Sequence, residues 1–304
     1  MTTQTLGRFG NMNPPANLAK HPYNLAVEPF NIKGNLYYIG AAQNSTHLID
    51  TGNGLIILDV PPIEYLPYVV NNVWKLGFNP REIKLIIISH AHADHYASVN
   101  ALKAITRAKV AISKVDADDM DSKPLIYEEH VKEFGAFNEN FIPDFTLEDG
   151  QIIELGNTKI KCVLIPGHTL GVMAHFWECF DNDKTYKVGI YGGAGFITLQ
   201  DSMLTRFHFP QSLRDDFLVS IDKVWNEPVD IMLGNHPFHN DTWKKRAAQL
   251  AGDEDAFVDP QEWHRFLTEL RESCKYFLSL SAEEAADQMK ESRFMEYSGK
   301  YLNL

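Results

Sequence analysis

Apolar and polar positions along this chain fall into two blocks of short strands, each followed by helices. After a polar, proline-interrupted leader, GNLYYIG, THLIDTG and GLIILDV read as successive strands separated by glycine and asparagine turns. YLPYVVNNVWKLG has helical spacing and stops at Gly77. Ile83 to Ser89, IKLIIIS, is a β-branched apolar run of strand length, which predicts a strand buried on both faces. A helix over YASVNALKAIT and a strand over KVAISK complete the first half. Asp116 to Asp144 is irregular, acidic and aromatic, and is expected to form a helix plus a covering loop. IIELGNTKIKCVLIP, VMAHFWEC and KVGIYG then supply a second run of strands. Helices are expected around SLRDDFLVSIDKVW, DTWKKRAAQLAG and PQEWHRFLTELRESCKYFLSL. Two β-rich halves with helices outside them predict two packed sheets.

Composition narrows the class. The chain has 304 residues, 44 % hydrophobic and 22 % charged, enough for a large core. Its formal charge of −12 argues against a general nucleic-acid binder, which needs a basic footprint. No apolar run is long enough to span a membrane. Met1 to Tyr23 holds no apolar signal core, so a cytoplasmic location is expected, or a periplasmic or secreted one if a leader has been removed.

The candidate chemistry lies in six residues. Four occupy the run Ser89-His90-Ala91-His92-Ala93-Asp94-His95, and two lie in Gly167-His168-Thr169 and Asn235-His236-Pro237. His90 and His92 are two apart where the strand ends, so an extended backbone projects both imidazoles to one side. Asp94 and His95 are adjacent, diverge in direction, and face a neighbouring position. A zinc ion takes N, S or O ligands at about 2.0–2.3 Å, and a catalytic site offers three of them and leaves a place for water. His90, His92 and His168 would hold a first zinc; Asp94, His95 and His236 a second. The competing reading, surface or capping histidines, suits a lone histidine better than this cluster. Because the candidate ligands run from position 90 to 236, one domain over 1–304 with a polar extension over about 1–29 is the simplest organisation.

His-x-His-x-Asp-His followed by Gly-His-Thr-x-Gly and a late Asn-His-Pro resembles the metallo-β-lactamase superfamily, from about Phe30 to near Met289. LIIISHAHADHYASVNALKAITRAKVAISK, IPGHTLGVMAHFW, VDIMLGNHPFHND and ESCKYF resemble its third class B subclass most closely. The resemblance implies an αββα four-layer sandwich with the metals at one edge, and a dinuclear zinc hydrolase acting on a small-molecule substrate. Many family members bridge the metals with a further aspartate, which here would fall on Gly193 or its neighbours. The cysteine that other subclasses place nearby is also missing, as Cys162, Cys179 and Cys274 lie elsewhere.

The implied chemistry uses metal to lower the pKa of water from 15.7 to about 7. The resulting hydroxide attacks a cyclic amide or, as the alternative, a lactone, ester or other amide. Asp94 is expected to orient that hydroxide and is a candidate to relay its proton. Two departures from the resemblance bear on substrate. Ala194 and Phe196 stand where serines usually contact a substrate carboxylate, and the bulky Tyr96 follows the ligand pair. Tyr96, Ala194 and Phe196 are therefore the candidate pocket residues. Asp59, and less clearly Asp50, occupies the region where an acid often receives a ligand histidine's other N–H. Thr169 is expected to bond locally in its turn. Ser220 to Lys223 forms a Ser-x-x-Lys without its companion motifs, so a covalent serine mechanism has little support. A staple from Cys274 is not expected, since its usual partner position holds Val229. His175 is expected in the core, and His239 near the pocket rim.

Overall fold

The alternation of buried side chains builds two sheets face to face. The computed structural model describes Phe9, residues 22–134 and residues 140–290; most of the polar extension at about 1–29 lies outside these. Strands β1 (Phe30–Lys33), β2 (Leu36–Tyr38), β3 (His47–Asp50) and β4 (Leu55–Leu58) form an antiparallel meander. Helix α1 (Leu66–Lys75) crosses to β5 (Ile83–Ile87), parallel to β4. Then α2 (Ala93–Tyr96) and α3 (Val99–Thr106) lead to β6 (Lys109–Ser113), and α4 (Lys114–Ser122) and α5 (Pro124–Phe134) to β7 (Phe145–Leu147), both strands parallel to their neighbours. The second sheet has β8 (Ile152–Leu155), β9 (Thr158–Leu164), β10 (Met173–Asp181) and β11 (Lys184–Tyr191) antiparallel. After α6 (Asp201–Phe207) and α7 (Leu213–Lys223), β12 (Ile231–Gly234) joins β11 in parallel, and α8 (Thr242–Leu250), α9 (Glu262–Ser279) and α10 (Ala282–Lys290) follow.

Period-two alternation sorts the core into layers. Ile56, Leu58, Leu85, Ile87 and Ala111 of the first sheet pack with Cys162, Met173, Trp177, Val188 and Leu233 of the second, filling the space between sheets. Ile57, Ile86 and Val110 point outward to Val69, Val73 and Leu102 of α1 and α3. Ala174, Phe176 and Tyr191 face Phe217, Trp263, Phe266 and Leu270 of α7 and α9. Each such fully buried side chain contributes roughly 1.5–3 kcal/mol. The order helix, sheet, sheet, helix is the αββα sandwich expected.

Two expectations need correction. The helix over YASVNALKAIT is broken at Ala97 and Ser98, where Ser98 turns its hydroxyl to the Pro61 carbonyl instead of continuing the helix. Asp116 to Asp144 lies over α4, α5 and the approach to β7, with residues 135–139 outside the described part, so it is more helical than a helix plus a loop. A Ser113 side-chain cap on the Asp116 N–H starts α4, a signal the acidic composition obscured.

Candidate metal centre

Parallel strand ends assemble the site, as is usual for open α/β sheets. Asp59, the His90 run and Asp116 follow the C-terminal ends of β4, β5 and β6; Gly193 and His236 follow those of β11 and β12. His168 lies in the turn between β9 and β10. His90 Nε2 is 3.1 Å from His92 Nδ1, which is 2.9 Å from His168 Nε2. His95 Nε2 and His236 Nε2 are 3.3 Å apart, and Asp94 Oδ2 lies 3.4 Å from the first and 3.5 Å from the second. Within each group of three, the candidate ligand atoms all lie within 4.8 Å of one another. The six predicted residues thus come together in the two expected sets.

Their outward nitrogens decide whether a cation fits. His168 Nδ1 meets the Gly195 carbonyl and His236 Nδ1 the Gln43 carbonyl, each at 2.8 Å. A carbonyl only accepts, so both Nδ1 atoms carry the proton and both Nε2 lone pairs point inward. For His90, Nδ1 is 3.0 Å from Ser89 Oγ, whose own proton goes to Asp59 Oδ2 at 2.8 Å. That leaves the Ser89 oxygen to accept from His90 and turns the His90 Nε2 lone pair inward as well. Inward lone pairs repel one another unless a cation lies between them, so the donor set fits divalent metal.

Burial keeps most of these rings neutral. It pushes His168 and His236 down to about 4 and, with the neighbouring imidazoles, holds His90 well below the ordinary value. For His95, burial pulls downward, but the Asp94 and Asp59 carboxylates outweigh it and the net shift is upward. A neutral imidazole need expel no proton on coordination.

Several contributors escaped the sequence reading. Asn44 donates to Asp94 Oδ2 at 3.2 Å and to its carbonyl at 3.3 Å, fixing the carboxylate. Asp116, fully buried, accepts from Ala91, Thr169 and Gly171. Its place just past a strand end in the sheet that carries Asp59 and His90 was the signal available. Thr169 bonds Asp116 at 2.9 Å rather than locally, correcting that expectation. Asp50 caps the Gly52 N–H and belongs to an ordinary turn. Ser220 donates to the Pro166 carbonyl and Lys223 pairs with Asp149, which gives both structural partners.

The candidate pocket residues are closely packed. Tyr96 is 1 % exposed and lies beside Phe141, with its hydroxyl 3.4 Å from Asn140 Oδ1. Ala194 and Phe196 are fully buried, and the Phe196 ring meets Phe9, Phe217 and Phe277. A Cβ at Gly193 would fall 2.3 Å from His168 Cδ2, so the backbone there sits directly against the ligand ring. His239 lies 5.3 Å from His236 between ring centroids and His175 is buried in β10; neither joins a ligand set. Cys162, Cys179 and Cys274 are unpaired thiols.

Comparison with known proteins agrees with this geometry. The sequence pattern of the metallo-beta-lactamase superfamily matches residues 32–177. The fold superposes on the metallo-beta-lactamase GOB-18 from Elizabethkingia meningoseptica with a TM-score of 0.73 at 29 % identity, over 87 % of this chain and 95 % of that one. The chain resembles the metallo-β-lactamase superfamily, in sequence over residues 32–177 and in fold over most of its length. BJP-1, a subclass B3 metallo-beta-lactamase of Bradyrhizobium japonicum, gives a TM-score of 0.73 at 25 % identity, covering 89 % of this chain and 98 % of that one. Among curated relatives, a probable polyketide biosynthesis zinc-dependent hydrolase, PksB of Bacillus subtilis, is 31 % identical over 110 residues, 36 % of this chain and 41 % of that one. A hydroxyacylglutathione hydrolase of Francisella tularensis is 25 % identical over 197 residues, 60 % of this chain and 68 % of its own length. The chain thus spans nearly the full length of those two solved structures but under half the length of PksB. Among the described residues no helix is long and apolar enough to cross a membrane.

Proposed function

We propose that this protein is a dinuclear zinc hydrolase of the metallo-β-lactamase kind that opens a cyclic amide such as a β-lactam. The observation that carries the reading is the convergence of two complete ligand sets, His90–His92–His168 and Asp94–His95–His236, at one end of the paired sheets. When bound, zinc supplies Lewis acidity and an activated water at neutral pH.

The chain's own residues would do the rest. His90, His168 and His236 present neutral nitrogens whose opposite edges are already fixed by Ser89, Gly195 and Gln43. The Asp94 side chain is 15 % exposed, whereas the five histidines are 8 % or less. Asp94 is therefore the ligand that an incoming substrate meets, held in orientation by Asn44, and its carboxylate is the group placed to receive a proton. Packed side chains exclude bulk water on the remaining sides. On this reading the described residues form one domain around the site.

A second reading has a specific observation in its favour. Gly192-Gly193-Ala194-Gly195-Phe196 offers no side-chain hydroxyl to a substrate carboxylate, and a side chain at Gly193 would have to displace the His168 ring or the turn. A lactone, ester, thioester or other amide fits that turn as well as a β-lactam does. Assaying the zinc-loaded protein against penicillin, cephalosporin and carbapenem beside lactone and thioester panels separates the two. β-Lactam turnover supports the first; zinc-dependent lactone or thioester turnover without it moves the assignment to the second. His168→Ala should abolish activity in either case.

A further inference from the structure

Asp116 opens the first turn of α4 and is completely buried, yet its side chain serves two loops other than its own. Oδ2 accepts the Ala91 N–H at 2.8 Å and the Thr169 hydroxyl at 2.9 Å, and Oδ1 accepts the Gly171 N–H at 2.7 Å. Ala91 stands between His90 and His92; Thr169 follows His168. One carboxylate thus fastens the backbone between two ligands of one set to the loop that carries the third.

The surroundings are shaped for this contact. A Cβ on Gly171 would lie 2.3 Å from Ser113 Oγ and 2.4 Å from the Asp116 nitrogen, so glycine is what permits the loop's approach. Ser113 Oγ in turn accepts the Asp116 N–H at 3.0 Å and fixes where the carboxylate begins. Burying a carboxylate is costly unless donors replace its water, and here three do. None of these bonds reaches Asp94, His95 or His236, which contact Asn44, Asp59 and the Gln43 carbonyl respectively.

Building on the reading that the two sets hold metal, we propose that Asp116 is a positioning residue for the His90–His92–His168 site. It sets the mutual placement of the three imidazoles, and hence the zinc affinity of that site, while leaving the second site nearly untouched. Asp116→Asn turns an acceptor into an NH2 group facing N–H donors; Thr169→Val removes one bond only.

Zinc affinity is measured by competition with a chromophoric chelator in two backgrounds. His236→Ala isolates the first site and His168→Ala the second, and melting of the metal-free proteins is followed in parallel. Asp116→Asn is expected to weaken zinc about 10- to 100-fold in the His236→Ala background, the range for residues that orient metal ligands. It should change affinity less than threefold in the His168→Ala background. Thr169→Val should show a smaller loss confined to the first site. Equal weakening at both sites, or unchanged zinc affinity with a lower melting temperature, overturns the proposal and makes Asp116 plain structural glue. Should Asp116→Asn fail to fold, unchanged first-site affinity in Thr169→Val overturns it. If the unmutated protein binds no zinc, the metal-site reading itself fails, an outcome visible before any variant is compared.

Discussion

Asp59 Oδ2 lies 3.1 Å from His95 Nδ1 and is the same oxygen that accepts the Ser89 hydroxyl. The His95 contact is close enough for charge attraction but off the line of a hydrogen bond, since His95 Nδ1 has no hydrogen-bond partner by angle. One carboxylate thus serves rings of both sets, His95 directly and His90 through Ser89. Its backbone is left-handed, with φ 58°, a conformation uncommon outside glycine and kept only where neighbours enforce it. The Asp59 N–H to the Ile87 carbonyl at 2.9 Å is one such restraint.

Asp59→Asn should therefore weaken zinc at both sites, by about 10- to 100-fold each. This contrasts with the one-sided effect expected of Asp116→Asn. Chelator competition in the same two backgrounds reads it, and a loss at one site alone would contradict the shared role.

Gly193→Ala should displace the His168 ring. The added methyl carbon would sit 2.3 Å from His168 Cδ2 and 2.8 Å from Cγ, so the ring or the turn must move. Displacements of about 1 Å in a catalytic array cost on the order of 100-fold in rate. Turnover should fall by that order with weaker first-site zinc, read by steady-state kinetics and metal titration; wild-type values would mean the turn yields freely.

The metal-free protein should lose stability as pH falls from 6.5 toward 4. Burial lowers His47 and His175 from 6.5 to about 4, so the unfolded chain binds their protons first. Their contribution is complete above pH 6.5 and is lost on the way down to 4, at about 1.4 kcal/mol per pH unit for each ring. Neither ring nitrogen of His175 has a hydrogen-bond partner among the described residues. Replacing it is thus a clean test. His175→Leu should gain on the parent by about that slope below pH 6.5 in urea unfolding, and parallel pH curves would contradict it.

Much of the site was legible because its ligands are local. Strand-length IKLIIIS followed by His-x-His-x-Asp-His places four of them without tertiary knowledge, and the two later histidines sit in recognisable turns. The bonds that hold them were not legible. Asp116 belongs to an acidic stretch whose sequence resembles a solvated loop, and only the parallel pairing of β5 with β6 brings it under Ala91. Asn44 and Gln43 come from a polar turn with no motif of its own. The pocket was half legible: substitution to Tyr96, Ala194 and Phe196 was visible, but their near-complete burial depends on α5, α7 and α9 packing over them. The break at Ala97 and Ser98 coincides with a tertiary bond from the Ser98 hydroxyl to Pro61, which helical spacing cannot encode.

The central claim is that both ligand sets hold metal and act together. Metal content and calorimetric titration of the chelator-stripped protein test it most directly, with hydrolysis followed as zinc is returned. Two zinc ions per chain are expected, with His168→Ala and His236→Ala each retaining one and hydrolysis lost when the ions are stripped. Saturation at one zinc or none, or full hydrolysis by the stripped protein, would contradict the account.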